Sequence, residues 1–311
     1  MVIGIDPTVD FAFKRVLGNP EHTAITVHFL NAVLVGSPRI THVEILNPIF
    51  DQETDDDKLA ILDVKALDDQ GRWLNIEMQT ATQVGLRQRL AYYAASLYAG
   101  QLHLGNAYEQ LRPAISICVL DALLFPSVPD LHLDFRLQNC RHGLVLTDDI
   151  QVHFLELPKY NPDVHPVIDA TPLEKWAYFF RYASQLTPEE ISGRLADAEF
   201  SEAAGVLEMI GQTPHEREMY EARVKFERDK AWWIKSAKDE GRAEGRAEGR
   251  AEGIDEGLAK GIERGDYSGQ IRVLQRLLGM PESPLSELAA LDLEQLSGLA
   301  GQLQAELRDR R

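Results

Sequence analysis

Two apolar runs joined by a tight turn, each with a carboxylate in its interior, constrain this chain more than any other feature. Residues 59–67 read LAILDVKAL, residues 68–71 read DDQG, and residues 72–79 read RWLNIEMQ. A short polar link ending in glycine between two such runs signals a β-hairpin. Asp63 and Glu77 stand inside the runs, where a charge is costly unless it is paired or binds a cation. Side chains alternate faces along a strand. Asn75, Glu77 and Gln79 therefore share one face of the second run. Asp63 and Lys65 share one face of the first, taken here to be the Glu77 face.

The elements around this hairpin suit an α/β domain. Residues 8–36 have helical spacing, with Asn19-Pro20 dividing them into two pieces. Residues 42–50 read as a strand, and 51–58 as an acidic turn. Residues 84–104 have helical spacing, with Arg89, Tyr93 and Leu97 on one face and Gly105 as the expected C-cap. Residues 114–120 (AISICVL) read as a buried strand, and 131–137 and 150–157 as further strands. Helices are expected over 172–185, 188–197 and 199–212, opened by Thr-Pro or a polar cap. The expected division is a sheet domain over 1–160, a helical region over 161–240, a repeat over 241–265 and a small helical tail over 266–311.

The repeat is GRAE three times in succession, degenerating through GIDE, GLAK and GIER, with glycine at every fourth position from 241 to 265. Each glycine costs a helix roughly 1 kcal/mol relative to alanine. Like charges also recur at i, i+4: Glu244 with Glu248, and Arg242 with Arg246. The segment is thus either a linker or a helix rescued by packing on a partner. Self-association through residues 215–265 is the corresponding expectation.

Net charge is −17, which counts against a plain nucleic-acid-binding protein. A local basic strip can coexist with an acidic total. No apolar run approaches the roughly 18–20 residues of a membrane span, and the first residues lack the pattern of a secretory signal. A cytoplasmic location is expected, with Cys118 and Cys140 as structural thiols in a reducing compartment. The nine histidines form no zinc-ligand spacing. No phosphate-binding glycine loop or nucleophile elbow occurs, so no nucleotide cofactor is expected. The run Asp55-Asp56-Asp57 reads as a solvated loop or a Ca²⁺ site.

Two carboxylates and a carbonyl form a hard oxygen site suited to Mg²⁺ or Mn²⁺. Spacing alone leaves an alternative open: Asp63 and Glu77 paired with Lys65, Arg72 or Arg89. Asp10 and Lys14, four apart on the first helix, read as an ion pair or as site members.

Four segments in order, DFAFKRVLG (10–18), HFLNAVL (28–34), DDKLAILDVKALDDQGRWLNIEMQ (56–79) and RLAYYAASLYAGQLHLGNAYEQLRPAISICVL (89–120), resemble the Rpn family of recombination-promoting nucleases and transposases. These are similar to the PD-(D/E)XK superfamily. The resemblance implies a restriction-endonuclease-like core, a central mixed sheet flanked by helices, followed by an α-helical C-terminal region. It implies a metal-dependent DNA endonuclease linked to recombination or mobile elements, with Mg²⁺ as the first choice of metal and Mn²⁺ or Ca²⁺ as others. The alternative is a non-catalytic DNA-binding or interaction module that retains the fold. Carried over, Asp63 and Glu77 hold the metal with the Met78 carbonyl. Gln79 stands where the superfamily has lysine, and glutamine orients a water only by hydrogen bonds. Lys65 is a candidate for the missing cation. Arg89 and Tyr93 are candidates for touching phosphate, and Gln101 matches the family pattern, with packing as its expected role. Residues 269–308 resemble the small helical domain of unknown function attached to such proteins.

Overall fold

The computed structural model describes residues 1–46, 64–102, 105 and 107–310. Asp63, the acidic stretch 51–58 and the first half of the expected run 59–67 lie outside the described residues. The chain forms two compact units, Met1–Arg228 and Asp229–Arg311.

In the first unit, α1 (Asp10–Leu17) and α2 (Thr23–Val33) are separated at Asn19-Pro20 by one 3-10 turn. Proline has no N–H to donate and fixes its own φ, so the two pieces cannot fuse. The strands are β1 (Val43–Ile45), β2 (Val64–Asp68), β3 (Trp73–Gln79), β4 (Ala114–Leu120), β5 (His132–Asn139) and β6 (Leu144–Glu156), with α3 (Leu86–Ala99) between β3 and β4. They form a mixed sheet in the order β1-β2-β3-β4-β6-β5. β1, β2 and β3 are antiparallel, β3, β4 and β6 run parallel, and β5 pairs antiparallel with β6.

The hairpin follows the sequence expectation, and its turn is held from within. Asp68 Oδ1 accepts from the Gln70 and Arg72 amides, both at 2.9 Å, and Oδ2 accepts from Arg72 Nε at 2.6 Å. Gly71 has φ +78°, a conformation that side chains disfavour. Arg72 is thus tied to Asp68 at the turn.

Helices cover both sheet faces. Leu74, Ile76 and Met78 of β3 join Ile115, Ile117 and Val119 of β4 in the main core, under α1, α2, α4 (Pro172–Tyr182) and α6 (Ala198–Gln212). Trp176, Phe179, Phe180 and Phe200 are its largest members, and Trp176 Nε1 hydrogen-bonds His28 Nδ1 at 3.1 Å. These helices share one core with α1 and α2. On the other face, Leu86 and Leu90 of α3 pack on Cys118, Leu120 and Phe154. The Thr-Pro openings are capping boxes at α4 (Thr171 with Glu174) and at α5 (Pro188–Arg194; Thr187 with Glu190).

Two expectations shift. α3 stops at Ala99 on Gly100, whose N–H reaches Ser96 O at 2.9 Å, so the first glycine ends the helix and Gly105 lies beyond it. β6 begins six residues earlier than the apolar pattern indicates. Its extra half pairs with β5 across a register shift, and Leu144 and Leu146 there are exposed, which hides the strand from a hydrophobicity reading.

The helix α7 (Pro214–Leu278) begins in the first unit. Tyr220 Oη accepts from the Asp6 amide at 2.9 Å, and Arg15 pairs with Glu216. In the second unit, α8 (Leu285–Leu288) and α9 (Leu293–Asp309) pack on the end of α7 through Ile271, Leu278, Leu288, Leu296 and Leu303. No helix among the described residues is long and apolar enough to cross a membrane.

Removing one partner of a buried ion pair strands the other. Arg72→Ala should therefore destabilise the first unit by about 3–5 kcal/mol, measured by chemical denaturation. A loss under 1 kcal/mol contradicts a structural role for the pair. A second test uses the edge strands. His132 Nε2 and His153 Nδ1 lie 2.9 Å apart, linking β5 to β6. Burial, reinforced by His132, lowers His153 from its ordinary 6.5 to about 3. The unfolded chain takes the proton first, so stability should fall as pH drops from about 6.5 toward 3 and be unaffected above that window. His153→Gln should flatten that slope in urea titrations at stepped pH.

Candidate active site

Glu77 stands near the end of β3, between β2 and β4, and is 4% exposed. Its face is the α3 side of the sheet, shared with Asn75 and, across the β4 pairing, with Ser116 and Cys118. Both Asn75 and Ser116 are fully buried. Asn75 Nδ2 donates to Glu77 Oε1 at 3.1 Å and to Ser116 Oγ at 3.3 Å. The amide is thereby turned, and its Oδ1 is buried with no hydrogen-bond partner. A buried polar oxygen in that state is costly.

Burial is the largest influence on Glu77 and raises its pKa above the ordinary carboxylate value. The Asn75 hydrogen bond, Arg89 and Lys14 oppose it in that order. Arg89, from α3, brings its guanidinium to 3.7 Å of Glu77 Oε2 and also donates to Gln83 at 3.2 Å. Lys14 comes from α1. The end of α1 lies against β2, where a Cβ on Gly18 would meet a Val64 methyl at 3.1 Å. Two cations from opposite helix layers thus bear on one carboxylate.

Lys14 is itself held. Its Nζ is 3.1 Å from Asp10 Oδ1, the pair read from their i, i+4 spacing, and Arg223 of α7 pairs with the other Asp10 oxygen. Burial works to raise the Asp10 pKa, but Lys14 and Arg223 together outweigh it, and the group is held below its ordinary value.

The other sequence candidates fall at different distances from this centre. Lys65 lies opposite Asn75, on the Glu77 face as expected, but its ammonium sits 4.9 Å over the Trp73 ring, back toward the hairpin turn. Tyr93 packs against the Leu86–Leu90 cluster. Gln79 ends β3, and its carbonyl accepts from the Asp121 amide at 2.9 Å. Met78 puts its side chain into the main core. Gln101 clamps the backbone of Arg112 through both amide atoms, at 2.8 and 2.9 Å, which fixes the approach to β4. Asp63 lies outside the described residues. Sequence reading left Lys14 undecided between ion pair and site member, and passed over Asn75, Ser116 and Arg223. Asn75 carried a signal, since it is an amide two residues before Glu77 on the same face.

The residues present fit a hard divalent cation. Glu77 supplies a carboxylate and Asn75 an unpartnered oxygen, and oxygen donors are what Mg²⁺ and Mn²⁺ select. Among the described residues, no group of three or more His, Cys, Asp or Glu side chains gathers to hold a metal. The fit therefore calls for a second carboxylate.

A family model described as PD-(D/E)XK nuclease family transposase matches residues 7–237. The chain belongs to this family. No curated protein and no solved structure matches it. The match spans the sheet and the helices through the start of α7, so it covers α1, β3 and α3, the elements that converge on Glu77. The mixed sheet between two helix layers agrees with the expected nuclease core, as does the helical region after it.

The electrostatic arrangement is testable without activity. In a carboxyl NMR titration, Glu77 should titrate at higher pH in Lys14→Met and in Arg89→Met than in the parent, since each change removes a cation that favours the charged form. An unchanged midpoint in both variants contradicts the geometry.

Proposed function

We propose that this chain is a metal-dependent DNA endonuclease of the PD-(D/E)XK family, acting in the cytoplasm on DNA undergoing recombination or transposition. The observation that carries the reading is the buried Glu77 carboxylate, with an orphaned amide oxygen beside it and cations from α1 and α3 around it, within a family of nucleases. Asp63 and Glu77, with the Met78 carbonyl, would hold the metal, Mg²⁺ by preference and Mn²⁺ or Ca²⁺ as substitutes. When bound, such a metal activates a water and stabilises the added charge on the phosphate.

The chain's own residues do the rest. Asn75 fixes the Glu77 carboxylate in one orientation, so little reorganisation accompanies charge development. Gln79 orients water by hydrogen bonds but brings no charge. We assign the missing cation to Lys14: it bears on Glu77, whereas the Lys65 ammonium lies over Trp73. Asp10 and Arg223 position Lys14.

The substrate is polyanionic and the chain carries −17, so attraction must be local. Residues 80–108, which include α3, contain Arg87 and Arg89 and no acidic residue. Arg87 and Tyr92 are exposed there and provide a face for phosphate and base contacts. Arg89 of the same helix pairs with Glu77.

Gln79 in place of lysine favours a second reading, a DNA-binding module without cleavage. A supercoiled-plasmid assay with Mg²⁺, Mn²⁺ or Ca²⁺ separates the two. Cleavage is expected for the parent, with losses of at least about 10²-fold in Asp63→Ala and Glu77→Ala and about 10- to 100-fold in Lys14→Met. Lys65→Met should stay within a few-fold. Equal inertness of parent and variants, with DNA binding retained, rejects hydrolysis and favours the second reading.

A further inference from the structure

Residues 241–263 of α7 are exposed without exception. The cluster of the second unit begins at Tyr267, and no residue of 241–263 belongs to it. Yet this stretch is helical, with glycine at every fourth position and open space around each. Glycine is among the least favourable helix residues, and like charges four apart oppose the helix further. Among the described residues, one exposed ion pair, Glu256–Lys260 at 3.2 Å, supports this stretch from within the helix. Such a helix in water lacks the tertiary packing from which most helical stability comes.

The rows identify what covers it. At about 100° per residue, a four-residue repeat lays Gly, Arg, Ala and Glu in four rows around the helix. The glycine row has the glutamate row on one flank and the arginine row on the other. Lys238, Arg242, Arg246 and Arg250 form the basic row, and Glu240, Glu244, Glu248 and Glu252 the acidic one. The basic row is apolar at both ends: Ile234 before it, and Ile254, Leu258 and Ile262 after it, all about 60% exposed. Contiguous exposed apolar side chains of this size mark an interaction surface.

We propose that residues 234–262 of α7 take a second copy of this chain, running parallel. In a parallel two-fold pair the left flank of each helix meets the right flank of the other, so acidic row faces basic row on both sides. In an antiparallel pair like rows meet and repel. The glycines let the backbones approach closely, and the Ile254–Ile262 row is buried against the partner. Because four residues overshoot a turn by about 40°, the rows wind, and the two helices cross rather than lie flush throughout. The proposal is independent of the nuclease reading.

Light scattering on the full chain should give twice the 34.9 kDa chain mass. Arg242→Glu/Arg246→Glu/Arg250→Glu has two acidic flanks and should give the single-chain mass. Glu244→Arg/Glu248→Arg/Glu252→Arg has two basic flanks and should do likewise. An equimolar mixture should recover the double mass, which shows that neither variant merely unfolds. Orientation is read from spin labels at Ala237→Cys and, separately, Ala259→Cys in a Cys140→Ser background. A parallel pair, with axes about 8–10 Å apart, gives a short label distance at both positions. An antiparallel pair gives on the order of 30–40 Å at each. A single-chain mass for the parent, a double mass retained by either charge variant alone, failure of the mixture to associate, or long label distances would each overturn the proposal.

Discussion

Burying the Glu77 carboxylate in the middle of a six-stranded sheet is the constraint on which the site depends. Charge withdrawn from water must be met by hydrogen bonds and opposite charge from the protein. β3 cannot provide these alone, because neighbouring positions on its other face, Leu74, Ile76 and Met78, fill the main core. The compensation comes from three separate elements: Asn75 two residues back, Arg89 from the α3 layer, and Lys14 from the α1 layer. Each helix layer has an apolar reason to pack where it does, and each delivers one cation as it packs. Asp10 and the first turns of α7 extend the same network, since Arg223 restrains the partner of Lys14.

Much of this was legible in the sequence. The DDQG turn, the alternation along RWLNIEMQ, the Asn19-Pro20 break and the Thr-Pro helix starts each rest on local backbone chemistry, and local chemistry is written in adjacent residues. The place of Lys14 was not. Lys65 is two positions from Asp63 in sequence and on the Glu77 face, but a neighbouring Trp73 ring on the same face offers its ammonium a cation–π contact at 4.9 Å. Lys14 is 63 positions from Glu77 in the chain, and its charge bears on that carboxylate because the end of α1 lies against β2. Long-range placement of this kind leaves no periodic trace. The extension of β6 was hidden for a different reason: its exposed half satisfies backbone hydrogen bonds with β5 without burying side chains.

Sequence alone also left the GRAE repeat poised between linker and packed helix. Its helical course, combined with complete exposure, narrows the physics. Local propensity cannot support seven glycines in succession at four-residue spacing, so stability has to come from outside the helix. The charge rows make that outside surface specific, since only a partner with the complementary order of flanks is accepted, and another copy of the same helix presents that order in one orientation.

Net charge and site charge answer different questions. An acidic chain has no net long-range attraction for DNA, and beyond the roughly 8–10 Å Debye length salt screens charge of either sign. Inside that distance the potential is set by the nearest groups. On the proposed reading, Arg87 and Arg89 of α3 supply positive charge to a phosphate approaching from the α3 side. On the proposed reading, such a chain would engage a phosphate only at close range and in the right orientation, so its selectivity would depend on positioning more than on bulk attraction.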